Sequence, residues 1–249
     1  MWKLAFAVAC ALALTACSRS ETPPYRYKLA VAVVCDGSPI TAQSISEVVW
    51  IDKRSSRWGS VWDAEVRGEA VAIKLCGDAG YLFALRHRLR PEDDPYKTFD
   101  PAGTSLAALN GFPSMRELMA STSSLHDQWS MMSQRTRKRD QAILLPENYP
   151  LFVRFDDLED MTSVELVDPA NMSDVFGGRV SIESVSIAIT EQPASNHIAS
   201  VLPWLNSLKP ETTLSGKPLR DLQGSLADRL SRIYSVSYTH LTLPTKRIV

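Results

Sequence analysis

Tyr25-Arg26-Tyr27-Lys28-Leu29-Ala30-Val31-Ala32-Val33-Val34-Cys35 is the run from which the architecture follows. Tyr25, Tyr27, Leu29, Val31 and Val33 alternate with Arg26, Lys28 and Ala30, the period of two that marks a strand with one face buried. Asp36-Gly37-Ser38-Pro39 ends the run with turn-forming residues, so a second strand is expected to fold back on it.

The same grammar repeats downstream. Ile45 to Ile51 reads as a strand whose apolar residues fall on both parities, as expected where both faces are covered. Trp62, Ala64 and Val66 alternate with Asp63, Glu65 and Arg67. Val71, Ile73 and Leu75 share a face after Gly68, and Gly77-Asp78-Ala79-Gly80 turns the chain into Tyr81, Phe83 and Leu85. Short strands separated by turn signals predict an antiparallel sheet that folds over on itself. Residues 91–111 are polar and proline-bearing and read as a long loop. Pro113 to Ala120 reads as a short helix starting near Ser114, and His126 to Asp140 as solvated connection or helix surface.

In the second half, Leu151, Val153 and Phe155 form a strand, with Ser163 to Val167 as its partner across the acidic turn Asp156 to Asp160. Asp168 stands where a helix N-cap belongs, Pro169 at the first helical position, and Val167 can meet Met172 as a staple. Gly177-Gly178 stops that helix. Val180 and Ile182 lie on one parity while Val185, Ile187 and Ile189 lie on the other, which requires a β-bulge near Glu183-Ser184. Ser195 is expected to cap a helix carrying Ile198, Val201, Leu202 and Leu205 that Pro203 bends or breaks. The predicted class is α+β, mainly antiparallel β-sheet, sandwich-like or strongly curved, with a few short helices.

The two ends carry different information. Lys3, the uncharged run Leu4 to Leu14 and then Leu14-Thr15-Ala16-Cys17 resemble the signal at which bacteria cleave and lipidate exported proteins. The resemblance implies that Cys17 is acylated after removal of residues 1–16. Each buried methylene then contributes about 0.8 kcal/mol to membrane attachment. Ser18, a residue other than Asp, implies the periplasmic face of the outer membrane of a Gram-negative cell. An ordinary secretory signal, with Cys17 incidental, is the alternative. At the other end, Val236 to Thr245 resembles the one-frame translation of a transposon-derived adapter used to prepare sequencing libraries. Residues 236–249 are therefore expected to be foreign, with the native chain continuing past Ser235; the alternative is a true strand.

The organisation expected is a signal at 1–16, a tether at 17–24, a β-rich part at 25–90, a connection at 91–145, a second β-rich part at 146–208 joining the first in one domain, and a polar tail or helix at 209–235. The chain has 27 basic and 28 acidic residues. Lys3, Lys246 and Arg247 fall in the two end segments, so the body is more acidic than the total suggests and offers no electrostatic case for nucleic acid. Hydrophobic residues make up 45% of the chain, enough for a packed core. Once Cys10 leaves with the signal and Cys17 takes lipid, Cys35 and Cys76 remain, an even pair in an oxidising compartment. A disulfide is expected, with two buried free thiols as the alternative. The parity of Cys76, opposite to that of Val71, Ile73 and Leu75, argues against the bridge, while the strand-end position of both residues allows it.

Phe152 to Gly177, FVRFDDLEDMTSVELVDPANMSDVFG, and Ser186 to Leu205, SIAITEQPASNHIASVLPWL, resemble a segment shared by an uncharacterised group of exported proteobacterial proteins. The matching positions are Val153, Phe155, Asp157, Asp160, Val164, Val167, Asp168, Pro169, Phe176, Gly177, Thr190, Pro193, Leu202, Pro203, Trp204 and Leu205, with a weaker echo at Arg67 to Val71 and Leu82-Phe83. The group carries Gly where His197 stands here. The resemblance implies a shared fold and brings no catalytic residue with it.

Chemistry-bearing patterns are sparse. There is no G-x-S-x-G and no H-E-x-x-H, and neither Asp156 to Asp160 nor Glu92-Asp93-Asp94 has the spacing of a calcium loop. No cofactor and no metal site is expected. His87, His126 and His197 are isolated in sequence, so a hydrolase would have to assemble its site in space. Asp157 and Asp160 are candidates for a binding surface or for turn-stabilising acceptors. Arg135, Arg137, Lys138 and Arg139 form a weak basic patch without interleaved aromatics. Among six Trp residues, Trp58 beside Gly59 is the candidate for an exposed contact and Trp204 for the core. The function expected is that of a non-catalytic binding or envelope-structural module held by membrane lipid through Cys17. A His-based hydrolase, or a subunit of an envelope complex that receives a partner strand, are the alternatives.

Overall fold

The computed structural model describes residues 20–52, 62–86, 101–122, 124–134, 137–209, 212–218, 224–231 and 236–237. Two antiparallel sheets make the protein an α+β fold dominated by β-structure, as the alternating runs predict. In chain order the strands are β1 (Ser20–Glu21), β2 (Tyr25–Cys35), β3 (Ser38–Asp52), β4 (Trp62–Glu69), β5 (Val71–Lys74), β6 (Tyr81–Leu85), β7 (Gln141–Ile143), β8 (Leu151–Phe155), β9 (Val164–Val167), β10 (Val180–Ile189) and β11 (Val236–Ser237). The helices are α1 (Pro101–Leu109), α2 (Met115–Ala120), α3 (Leu125–Met132), α4 (Met172–Phe176) and α5 (Leu226–Arg229).

The larger sheet runs β11-β4-β3-β2-β10-β7, with β1 beside β3; the smaller runs β5-β6-β8-β9. Strands from the two halves of the chain interleave in both, since β10 pairs β2 and β8 pairs β6. Asp36 and Gly37 both take positive φ in the two-residue turn between β2 and β3, the conformation whose twist suits a tight hairpin. The bulge required by the change of parity falls at the expected place, between Ile182 and Ser184 opposite Val33 and Ala32. It lets Val180 as well as Val185 and Ile187 reach the core.

Every second residue of β2 points into the space between the sheets, where Leu29, Val31 and Val33 meet Val71, Ile73, Leu82 and Phe152. The smaller sheet is covered on its other face as well. Phe83, Leu85, Val153 and Val164 pack there against Ile198, Leu202, Leu205, Leu214 and Leu230, which form an outer layer. That second covering explains why β6 reads as a continuous apolar run rather than an alternating one.

Three local expectations are corrected. Residues 101–109, read as loop, form α1, buried along almost its whole surface. Its small residues let it sit against the larger sheet, where Tyr25 Oη and Ser105 Oγ lie 3.1 Å apart. Asn110-Gly111-Phe112 close α1: Gly111 has φ +80°, and the Phe112 N–H donates to Ala107 O at 2.9 Å. Asp168 does not cap α4, which begins one turn later after Asn171. Asp168 holds the preceding turn instead, accepting from the Ala170 N–H at 2.9 Å and the Asn171 side chain at 2.9 Å. Ser195 caps no helix, and Ile198–Ser200 and Pro203–Asn206 are separate 3₁₀ turns. The Ser195 hydroxyl accepts the Ile45 N–H at 2.8 Å and the Ser195 N–H donates to Ile45 O at 3.0 Å, which clips this segment to β3. Ser114 does cap α2, accepting from the Glu117 N–H. Of the segment expected to be foreign, Val236 and Ser237 pair with Glu69 and Gly68.

Candidate interaction edge

β7 closes one side of the larger sheet. The sequence offers only Gln141-Ala142-Ile143 for it, too short for alternation to be legible. It forms because Leu144 is drawn into the core and β10 supplies a template. The Leu144 N–H donates to Val185 O at 2.8 Å, the Ile189 N–H donates to Asp140 O at 2.8 Å, and Ala142 stands opposite Ile187. In an antiparallel ladder, backbone groups face the neighbour at every second residue. Asp140, Ala142 and Leu144 therefore face β10, while Gln141 and Ile143 turn their N–H and C=O groups outward. Among the described residues, none bonds to them.

The side chains on this edge are as unusual as its backbone. Ile143 is 74% exposed and Leu145 49% exposed, two of the three large apolar residues left open among the described residues. Edges of this kind invite a further strand. Charge flanks the strand unevenly. Before it lie Arg137, whose Nε donates to Asp140 Oδ1 at 2.8 Å, Lys138, whose Nζ sits 5.1 Å from the Phe112 ring centre, and Arg139. After it comes exposed Glu147, in the 3₁₀ turn Pro146–Asn148. The smaller sheet ends in β9, where Leu166 is 52% exposed.

The residues singled out from sequence are placed as follows. Cys17, Trp58, His87 and Glu92-Asp93-Asp94 lie outside the described residues. Cys35 and Cys76 are joined in a disulfide with Cα atoms 5.8 Å apart. Parity does not bar the bridge, because β5 ends at Lys74 and Cys76 sits in the turn beyond it. Arg179 ties the same end of the molecule together. Its Nε and Nη2 donate to Asp36 at 3.0 and 2.8 Å, and its Nη1 donates to Asp78 at 2.6 Å. The guanidinium holds both carboxyls below the usual carboxylate range, and Arg179 is held more firmly protonated in return. Cys35, Asp36 and Cys76 are the grouping of potential metal ligands among the described residues. With both sulfurs in the disulfide and the carboxylate on Arg179, that donor set does not fit an ion.

Asp157 and Asp160 are exposed on the turn between β8 and β9 and serve it as acceptors. Asp157 Oδ1 takes the Glu159 N–H at 2.9 Å, and Asp160 Oδ1 takes the Thr162 N–H at 2.8 Å and its hydroxyl at 2.7 Å. Those Thr162 bonds lower the Asp160 pKa. Trp204 packs edge-on against Phe155, ring centres 5.5 Å apart, and its Nε1–H donates to Leu158 O at 2.9 Å, so it belongs to the half-buried rim of the outer layer. His126 is exposed on α3, and His197 is 85% exposed with its Nδ1 3.7 Å from Glu69 Oε1. Among the described residues no hydroxyl or thiol bonds either imidazole.

Sequence reasoning overlooked Arg86. It is buried, and its guanidinium donates to Gly68 O at 3.2 Å and Val66 O at 3.3 Å, closing off the end of β4; burial lowers its pKa. A charged residue after a run of buried ones, at the end of Tyr81–Leu85, was the available signal. Compared with protein-family models, curated proteins and solved structures, the chain matches none.

Proposed function

We infer that the protein is a lipid-anchored module of the bacterial envelope that acts by binding an extended segment rather than by catalysis. The observation that carries this reading is the β7 edge, where outward-facing backbone groups of Gln141 and Ile143 coincide with an Ile143 side chain 74% exposed. A strand added there gains main-chain hydrogen bonds for affinity and a side-chain contact for selectivity. The Cys35–Cys76 disulfide supports an exported location, since such bonds persist in oxidising compartments. The lipid anchor rests on the Leu14 to Cys17 signal alone, and the outer-membrane address on Ser18 after it.

Two experiments test the reading. Cys17→Ser should move the protein from the membrane to the soluble periplasmic fraction; continued membrane association of that variant overturns the anchor. A photo-crosslinking residue at position 141 in cells should trap a specific protein product, and an equivalent residue at exposed Glu183 should not. Equal products from both positions, or none from either, overturn the binding edge.

A further inference from the structure

Resting on that reading of the β7 edge, we propose that the strand it accepts is β7 of a second copy of this chain, paired antiparallel about a two-fold axis through Ala142. The backbone sets the register. Gln141 and Ile143 carry the outward-facing groups, so an axis through Ala142 puts Gln141 of one copy opposite Ile143 of the other and the reverse. Both pairs are then of the hydrogen-bonded kind, each exchanging two N–H···O bonds. An axis perpendicular to the sheet keeps the buried faces of both copies on one side, and the larger sheets join through β10-β7-β7-β10.

The side chains agree with that register. Gln141 and Ile143 lie on the exposed face, and pairing sets the two Ile143 side chains diagonally across the junction, within the reach of long side chains. Beyond the strand the chain leaves the ladder, with the Arg139 N–H donating to Leu109 O and Glu147 entering the 3₁₀ turn, but an antiparallel pair still carries the basic flank of one copy, Arg137 to Arg139, towards exposed Leu145 and Glu147 of the other. Within a single copy Glu147 makes no ion pair among the described residues. The uneven flanks, basic before the strand and acidic after it, complement themselves only in an antiparallel pair. A parallel pair would set base against base. Ala142 at the axis has the small side chain that close approach needs.

The test is self-association of the full chain as its Cys17→Ser form, so that acyl chains cannot drive assembly, with the disulfide intact. A junction this short belongs to the weak class of interfaces, so sedimentation velocity is run from roughly 10 to 300 µM. A dimer is expected at the upper end. Ile143→Pro removes an N–H that points away from β10 and leaves the intramolecular ladder whole, and should weaken dimerisation at least tenfold. Arg137→Glu and Glu147→Arg should each weaken it severalfold, while the double variant restores it. Rescue by the double variant separates a cross-copy pair from a folding defect, since Arg137 also bonds Asp140. A monomer at every concentration overturns the proposal, as does a dimer unmoved by Ile143→Pro or without rescue. If the chain stays monomeric while the crosslinker at 141 traps a product of another mass, self-pairing fails and the binding edge stands. If no product forms, both fall.

Discussion

Glu69 Oε2 accepts the Ile198 N–H at 2.7 Å, within the buried interior. Glu69 is the last residue of β4, where the chain leaves the larger sheet for the smaller, and Ile198 opens the outer layer that covers the smaller sheet. One buried carboxylate thus fastens the third layer to the crossover between the other two.

Removing that acceptor should cost stability in proportion to the orphaned donor. Glu69→Ala leaves the Ile198 N–H buried and unpaired, with an expected loss of about 2–3 kcal/mol; Glu69→Gln keeps an acceptor oxygen and should lose less than half as much. Urea denaturation of both variants checks this. Equal losses would mean that the carboxylate charge, which both variants remove, matters and the acceptor oxygen kept by Gln does not.

Gly68, just before it, answers to sterics. It holds φ +147°, and a Cβ there would lie 2.6 Å from Ser46 Oγ and 2.8 Å from Ile45 O. Gly68→Ala should destabilise by about 2 kcal/mol or more. Adding Ser46→Ala should recover only part, because the Ile45 carbonyl belongs to the backbone. Full recovery in chemical denaturation would show the clash to be with the hydroxyl alone.

The Cys35–Cys76 bridge spans 41 residues. In the chain-entropy account a loop of that size is worth about 4 kcal/mol, so the Cys35→Ser/Cys76→Ser double variant should melt roughly 10 °C lower. Calorimetry on oxidised protein and on the double variant decides it; coincident melting curves would show the bridge to be energetically idle.

Arg179 gives this end of the molecule a pH dependence with a definite sign. It depresses the carboxyl pKa values of Asp36 and Asp78 in the folded state. Their contribution is therefore complete above the ordinary carboxylate pKa of about 4 and is lost as pH falls through the depressed values. Thermal melts from about pH 6 to about pH 2 should show wild type above Arg179→Gln at the upper end, with the gap closing in acid. A gap that persists at low pH would place the effect in packing rather than charge.

Strands that are buried on one face or bounded by turns are legible in the residues alone. The β2 alternation, the Asp36-Gly37 turn, the bulge at Glu183 and the stop at Gly177 are local consequences of side-chain period and backbone freedom, and each is where the residues put it. Elements that depend on distant templates take shape only once the chain is folded. α1 is helical because the larger sheet buries its small residues, which carry no amphipathic signature. Ser195 gives its hydroxyl to Ile45 rather than to a helix, because a strand edge brought up from 150 residues away needs the acceptor. β7 exists only because β10 pairs with three residues whose own pattern is too short to read. The candidate edge was invisible for the same reason, since exposure of a backbone is a property of the neighbour that is missing.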